Sequence, residues 1–294
     1  MTKVLMEEDK QWTEIISPRN KLFDLHLKEV WRYRDLLFLF VKRDMAAQYK
    51  QTVLGPIWYI IQPLFTTVVF VITFNRLGGI KTDPVPAPIF YMCGVSIWNY
   101  FSSCFTATST TFVSNAGIFG KVYFPRLILP LSIVMSNIVK FAIQLGLVVI
   151  VILYYVFIDK TYHYQYHFGA NLLLLPAVVV VMAGLGLGGG IIVSSLTTKY
   201  RDFTVLISFG ISLLMYITPV IYPLKFVAVK HPDYQTAILI NPLSSLIEGF
   251  RYAVLGSGDV SAGWFLYSCA SMLILLFAGM VIFSKVERTF MDTV

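Results

Sequence analysis

The chain has 294 residues, of which 57% are hydrophobic and 13% charged, with a formal net charge of +7 and a mean hydropathy of +0.72. Soluble domains carry about 25% charged residues, so this composition excludes a soluble globular protein and leaves no room for a separate soluble domain. Nor does the basic excess point to nucleic acid, because the charges flank apolar blocks and no nucleic-acid fold signature is present.

Residues 1–17 are polar and mixed in charge. From Lys21 to Arg34 the spacing predicts a helix with Phe23, Leu27, Val30 and Trp31 on one side and Asp24, Lys28, Glu29 and Arg32 on the other. Such a helix lies in a membrane interface with Trp31 and Tyr33 at headgroup depth. An anchor and a docking helix for a cytoplasmic partner are both open readings. The first 35 residues are too charged for a cleavable signal peptide. Residues 35–50 begin apolar, with Leu36 to Val41, and end basic, with Lys42, Arg43 and Lys50, in a segment too short to span a bilayer.

Six apolar blocks follow: Val53 to Asn75, Ala87 to Phe112, Ile128 to Phe157, Asn171 to Thr197, Thr204 to Tyr222 and Gly263 to Ser284. Blocks of about 20 residues cross the roughly 30 Å hydrocarbon core as helices, which satisfy their own backbone groups where water is absent. The expected fold is therefore an all-α polytopic membrane protein with six transmembrane helices. If the N-terminus is inside, the inner segments hold 16 Lys and Arg against six outside, which places both termini in the cytoplasm. No block contains an Asp or Glu. Ion-coupled carriers usually place such a group, or His, near the midplane, so energy for uphill transport has to come from another chain.

Within the blocks, Cys93 and Cys104 lie eleven residues apart on one helix, about 16 Å and too far for a disulfide. Lys140 is the one charge inside a block, flanked at helical spacing by Asn137 and Gln144. A functional cation and a side chain snorkelling to the headgroups both fit it. Gly184-Leu-Gly-Leu-Gly-Gly189 matches a dinucleotide-binding fingerprint in letters, yet it interrupts an apolar run and has no strand before it. Gly184 with Gly188, and Gly186 with Gly190, read instead as small pairs that let helices approach closely. Gly120-Lys121 is followed by Val122, so the phosphate-loop pattern is absent. Asp159, His163 and His167 have a spacing that would suit metal ligation, but the stretch Tyr162 to His167 reads better as an aromatic belt, and no metal site is assigned. A membrane-embedded enzyme of glycolipid synthesis would need an acidic or His cluster near a bilayer surface, and this is the single candidate for one.

Several runs together carry a resemblance: Tyr49 to Trp58 with Ile61-Gln-Pro63, Lys121-Val-Tyr-Phe-Pro-Arg126 continuing to Pro130, Tyr200-Arg-Asp202, and Asn241-Pro242 with Glu248-Gly-Phe-Arg251. In order over residues 20–290 they resemble ABC-2 type permeases, the membrane subunits of bacterial ABC exporters of lipid-linked O-antigen, capsule or teichoic acid. The resemblance implies a cytoplasmic segment 1–52 carrying the interface helix and a six-span transmembrane domain over 53–294, in the bacterial inner membrane. It implies a homodimer, two separate ATPase subunits that bind the ATP and Mg, no cofactor on this chain and no catalysis by it. A related permease for a drug or small lipid is the alternative.

Residue roles follow from the same resemblance. Phe23, Leu27, Val30, Trp31 and Arg34 would seat the interface helix near the ATPase. The loop Ser114 to Arg126 would hold the coupling helix, with Asn115 and Gly117 permitting its turn, Phe119, Tyr123 and Phe124 filling a partner's groove, and Lys121 and Arg126 supplying charge. The amphipathic run Leu243 to Leu255, too short and too polar to span, resembles re-entrant gate helices between spans five and six. There Glu248 and Arg251, three apart, suit an outer latch or simple solubility. Sugars pack on aromatic rings through their C–H faces, which makes Trp58, Tyr59, Phe65, Trp98, Tyr100, Phe101 and Phe105 candidates for a substrate path together with Lys140.

Overall fold

The computed structural model describes residues 27–50, 52–119, 124–158, 169–200 and 202–293, and every described element is helical. Phe23, Lys121, Tyr123, Asp159, His163 and His167 lie outside those residues, and of Leu27 and Phe119 the backbone alone is described.

Helix α1 (Leu27–Arg32) stops at Tyr33, which leaves helical geometry at φ −92°, ψ 20°, and α2 (Arg34–Tyr49) follows. The single helix expected through Arg34 is thus two, with Arg34 opening the second. They stay in sequence because Tyr33 N–H donates to Glu29 O at 2.9 Å while Tyr33 O accepts from Leu37 N–H at 3.1 Å.

A short 3₁₀ turn (Gly55–Ile57) leads into α3 (Trp58–Phe70), which contains Pro63 and runs on as a π-helical segment, Val71–Leu77. Helix α4 (Ala87–Ser109) ends earlier than the apolar block. Ser109, Thr110 and Thr111 all turn their hydroxyls back onto carbonyls of the preceding turn, at 2.7 Å from Thr106 O for Ser109, and such bonds compete with helix continuation. Two four-residue helices, α5 (Thr111–Ser114) and α6 (Ala116–Phe119), complete that corner.

Helix α7 (Ile128–Phe157) matches its block end to end, α8 is Leu174–Lys199, and α9 (Phe203–Ile217) stops five residues before Tyr222. The stop follows from Pro219, because the residue before a proline is pushed out of the helical region, and Thr218 is extended at ψ 143°. Three short helices follow, α10 (Leu224–Lys230), α11 (Pro232–Ile240) and α12 (Pro242–Leu255), then α13 (Ala262–Thr293).

Among the described residues, four helical stretches are long and apolar enough to cross a membrane: Gly55–Leu77, Ile128–Phe157, Ala170–Thr197 and Ala262–Ser284. Helix α4 is long but carries many hydroxyls and sits inside the bundle, and α9, with 15 residues, is about 22 Å long.

The bundle centres on α8, with α4 against one side and α13 against another. A Cβ on Gly186 would lie 2.9 Å from Cys104 Cβ, and one on Gly190 would lie 2.7 Å from Thr108 Cβ, both on α4. A Cβ on Gly188 would lie 2.8 Å from the backbone of Leu275 and Leu276 on α13, where Gly184 meets Met272. The two glycine pairs therefore face two different helices and set both approaches, as the spacing predicts.

Two apolar cores result. The larger joins α4, α7, α8 and α12, and the smaller gathers Phe40, Phe112, Phe124, Ile128, Leu129, Ile191 and Phe283 at the opposite end.

Candidate functional site

At the α12 end the geometry grows from the stop of α9. Ending that helix leaves the carbonyls of Pro219 and Val220 without helical partners, and Arg251 supplies donors to both, Nη1 to Pro219 O at 2.6 Å and Nη2 to Val220 O at 2.7 Å. Glu248 Oε1 accepts from Arg251 Nη1 at 2.9 Å, and its Oε2 accepts from the backbone N–H of Asp259 at 3.2 Å. The guanidinium lies 3.7 Å from the Phe90 ring centroid. The side chains of Arg251 and Glu248 are 1% and 5% exposed, which removes simple solubility as their role.

Glycine makes room for this arrangement: a Cβ on Gly94 would sit 2.7 Å from Arg251 Nη2 and 2.8 Å from Val220 O. Helix α12 is fixed at its start by Asn241, whose side chain accepts from Leu243 N–H at 3.1 Å and donates to Thr218 Oγ1 at 2.9 Å. It ends at Gly256 with φ 67°, a left-handed cap that glycine adopts without penalty. One clasp therefore ties α4, the α9 turn, α12 and the loop before α13.

A second polar constellation lies between α3, α4 and α7, around a cavity of about 240 Å³. Helix α3 contributes Tyr59 and Gln62, α4 contributes Asn99, Tyr100, Ser102 and Ser103, and α7 contributes Asn137, Lys140, Phe141 and Gln144. Lys140 Nζ is 5.7 Å from the Tyr59 ring centroid, and Tyr59 OH donates to Gln48 Oε1 on α2. Lys140 has no carboxylate partner among the described residues. Asn137 and Gln144 are 3% and 8% exposed, yet Asn137 Oδ1 and Gln144 Oε1 have no hydrogen-bond partner among the described residues. Buried polar atoms are normally paired, so two orphaned acceptors lining one cavity mark a place for something that donates.

Of the aromatic candidates, the structure brings Tyr59 and Tyr100 to this cavity. Trp98 and Phe101 are buried in the core, 5.6 Å apart between ring centroids. Trp58 and Phe65 are exposed on the outside of α3, and Phe105 covers Gly189. Gln62, Asn99, Ser102 and Ser103 were not singled out by spacing; a polar residue facing inward within an apolar block was the available signal.

At the smaller core, Phe124 is 5% exposed and packs 5.6 Å from Phe40 of α2, centroid to centroid. Its ring lies in the chain's own core, whereas the resemblance implies a place in a partner's groove. Its neighbours Phe112 and Phe283 stack at 4.9 Å, so the loop before α7 is joined to α2, α5, α8 and α13. Arg126 is half-buried, Asn115 is half-buried with its side chain donating to Thr111 O at 3.0 Å, and Gly117 is exposed. Val30 packs onto this core whereas Trp31 is exposed, with Arg34 5.8 Å above its ring, so the expected apolar face of α1 is split between protein and surroundings. Among the described residues no group of His, Cys, Asp or Glu is placed to hold a metal.

A family model described as ABC-2 type transporter matches residues 35–255. Two curated relatives from Klebsiella pneumoniae, each named O-antigen export system permease protein RfbA, are 27% identical over 88% of this chain and 94% of their own length. A protein of the same name from Myxococcus xanthus is 24% identical over 91% of this chain and 98% of its own.

Proposed function

We propose, from the premise that the chain belongs to the ABC-2 type transporter family, that it is the membrane subunit of an ATP-driven exporter of lipid-linked polysaccharide of the O-antigen type across the inner membrane. The observation that carries this reading is the end-to-end match to relatives named as O-antigen export permeases, which leaves no large part of either chain unaccounted for. As a family member it is a transporter membrane subunit, and family membership implies an ABC ATPase partner.

In this reading two copies of the chain assemble with two ATPase subunits, which bind the ATP and Mg. Residues 1–52 form the cytoplasmic segment and 53–294 the transmembrane domain, with α4 and α9 as the second and fifth of six spans. Helix α4 is polar but already covered inside the bundle, whereas α9 is short and open on its apolar side, and a second copy is what would cover it. The exposed apolar side chains of α9, among them Val205, Leu206, Phe209 and Leu213, support that arrangement. Helices α10 to α12 then lie on the outer side as re-entrant elements, with the Arg251 clasp as a seal. Both termini are cytoplasmic, where Lys and Arg concentrate.

The smaller core serves as the transmission. Phe124 anchors the loop from Ser114 to Arg126 onto α2, α8 and α13, while Arg126, Asn115, Gly117, Phe119, Lys121 and Tyr123 belong to the part that meets the ATPase. Α bacterial strain lacking its own O-antigen permease, supplied with this chain and its ATPase, should regain surface polysaccharide. A drug-efflux phenotype without surface polymer would replace this reading with export of a small molecule.

A further inference from the structure

The cavity between α3, α4 and α7 has a definite chemistry. Among the described residues, Lys140 offers one positive charge without a carboxylate partner, and Asn137 and Gln144 offer two acceptors that no donor satisfies. Tyr100 and Phe141, 5.0 Å apart between centroids, supply aromatic faces. Among the described residues no carboxylate lines the space, and Asp44 on neighbouring α2 is engaged by Arg43 at 2.7 Å.

The three α7 side chains lie on one stripe. Lys140 is three residues from Asn137 and four from Gln144, which at 1.5 Å per residue puts the acceptors about 4.5 and 6 Å to either side of the charge along the axis. A matching ligand has an anion in the middle of its reach and hydroxyl donors beside it. A phosphodiester lipid without hydroxyls satisfies the Lys and leaves the amides orphaned, and a neutral sugar does the reverse. A phosphate bonded to a sugar satisfies both. The volume of about 240 Å³ is below the roughly 300–1,000 Å³ of pockets that enclose a drug-sized ligand, so the space holds a headgroup and not a polymer.

Helix α7 has 30 residues, about 45 Å, which exceeds the roughly 30 Å apolar core. Lys140 lies within that helix beside α2 and the start of α3, through the Tyr59 contact to Gln48. We infer that this cavity is a recognition site for the glycosyl phosphate headgroup of a membrane lipid, with Lys140 on the phosphate and Asn137 and Gln144 accepting from sugar hydroxyls. The inference rests on the exporter reading for the biological source of that lipid, but the site's chemistry is read from its own side chains.

The test is native mass spectrometry of the complex with its ATPase in nanodiscs, titrated separately with a polyprenyl diphosphate N-acetylglucosamine, the same polyprenyl diphosphate without sugar, phosphatidylmethanol as a phosphodiester lipid without hydroxyls, and soluble glucose 1-phosphate. The sugar-bearing lipid should bind at least 10-fold tighter than the other three. Lys140→Leu should weaken it at least 10-fold and Lys140→Arg by less than 3-fold, whereas Gln144→Leu should erase the preference for the sugar-bearing lipid over the bare diphosphate. Equal binding of phosphatidylmethanol or of soluble glucose 1-phosphate overturns the inference. On the wild type, a photoreactive group on the sugar should label peptides containing Tyr59 or Tyr100, and labelling confined to other helices overturns it even if the variants do not fold. Export of polymer in cells by a complex whose cavity fails these tests refutes the site and leaves the exporter reading intact.

Discussion

Arg251 and Lys140 are both cations on helices within an otherwise apolar bundle, and the chain treats them in opposite ways. Arg251 donates to two carbonyls and a carboxylate and rests on a phenyl ring. Lys140 lies against the Tyr59 ring and faces a cavity in which two amide oxygens are unpaired among the described residues. A polar group completed by its own chain holds structure, and one left incomplete is available to a ligand. The contrast separates the two ends more sharply than charge does.

The largest expected effect breaks the completed side. Glu248→Leu leaves the guanidinium buried without its carboxylate and should cost about 3–5 kcal/mol, read as a fall in the unfolding temperature of the purified protein. Replacing Arg251 with Met at the same time should recover part of this, but not all, because the carbonyls of Pro219 and Val220 lose their donors. An unchanged unfolding temperature in Glu248→Leu would show that the clasp is not structural.

Next comes the smaller core. Phe124→Ala should cost about 3 kcal/mol by opening a cavity against Phe40, and Phe124→Asp should fail to assemble. Arg126→Glu, at a half-buried position of the same loop, should assemble normally and uncouple ATP hydrolysis from export. Normal coupling in Arg126→Glu would take the loop out of the transmission. Smaller still, Gly188→Val should cost about 1–3 kcal/mol by pushing α13 from α8, whereas Gly146→Ala, with open space around it, should change stability by less than about 1 kcal/mol. Equal effects at the two glycines would contradict the close-approach account of α8.

Periodicity reached the long helices and the two glycine faces because both are local properties: Ile128–Phe157 needs only apolar length, and Gly184 to Gly190 need only spacing. The glycine stretch also shows why letters alone mislead, since its surroundings and not its pattern decide what it does. Proline and hydroxyl chemistry moved the ends of α9 and α4, where Pro219 and the Ser109–Thr111 run oppose apolar length. Glu248 with Arg251 was legible as a pair at helical spacing, but its carbonyl partners are about 30 residues away and belong to tertiary structure. Phe124 read as a partner-facing aromatic because its loop lies between Lys121 and Arg126, and it is the approach of α2 that covers it. The stripe of Asn137, Lys140 and Gln144 was visible as a stripe, while the orphaned acceptors that give it meaning depend on what α3 and α4 fail to offer.

The division between a completed clasp and an incomplete cavity is tested most directly by measuring unfolding temperature and polysaccharide export together in Lys140→Leu, with Glu248→Leu alongside, each assembled with the ATPase. The account predicts that Lys140→Leu unfolds no lower than wild type, since it removes a charge that is costly to bury, and loses export, while Glu248→Leu loses stability first. A Lys140→Leu protein that exports normally, or one destabilised as much as Glu248→Leu, would contradict it.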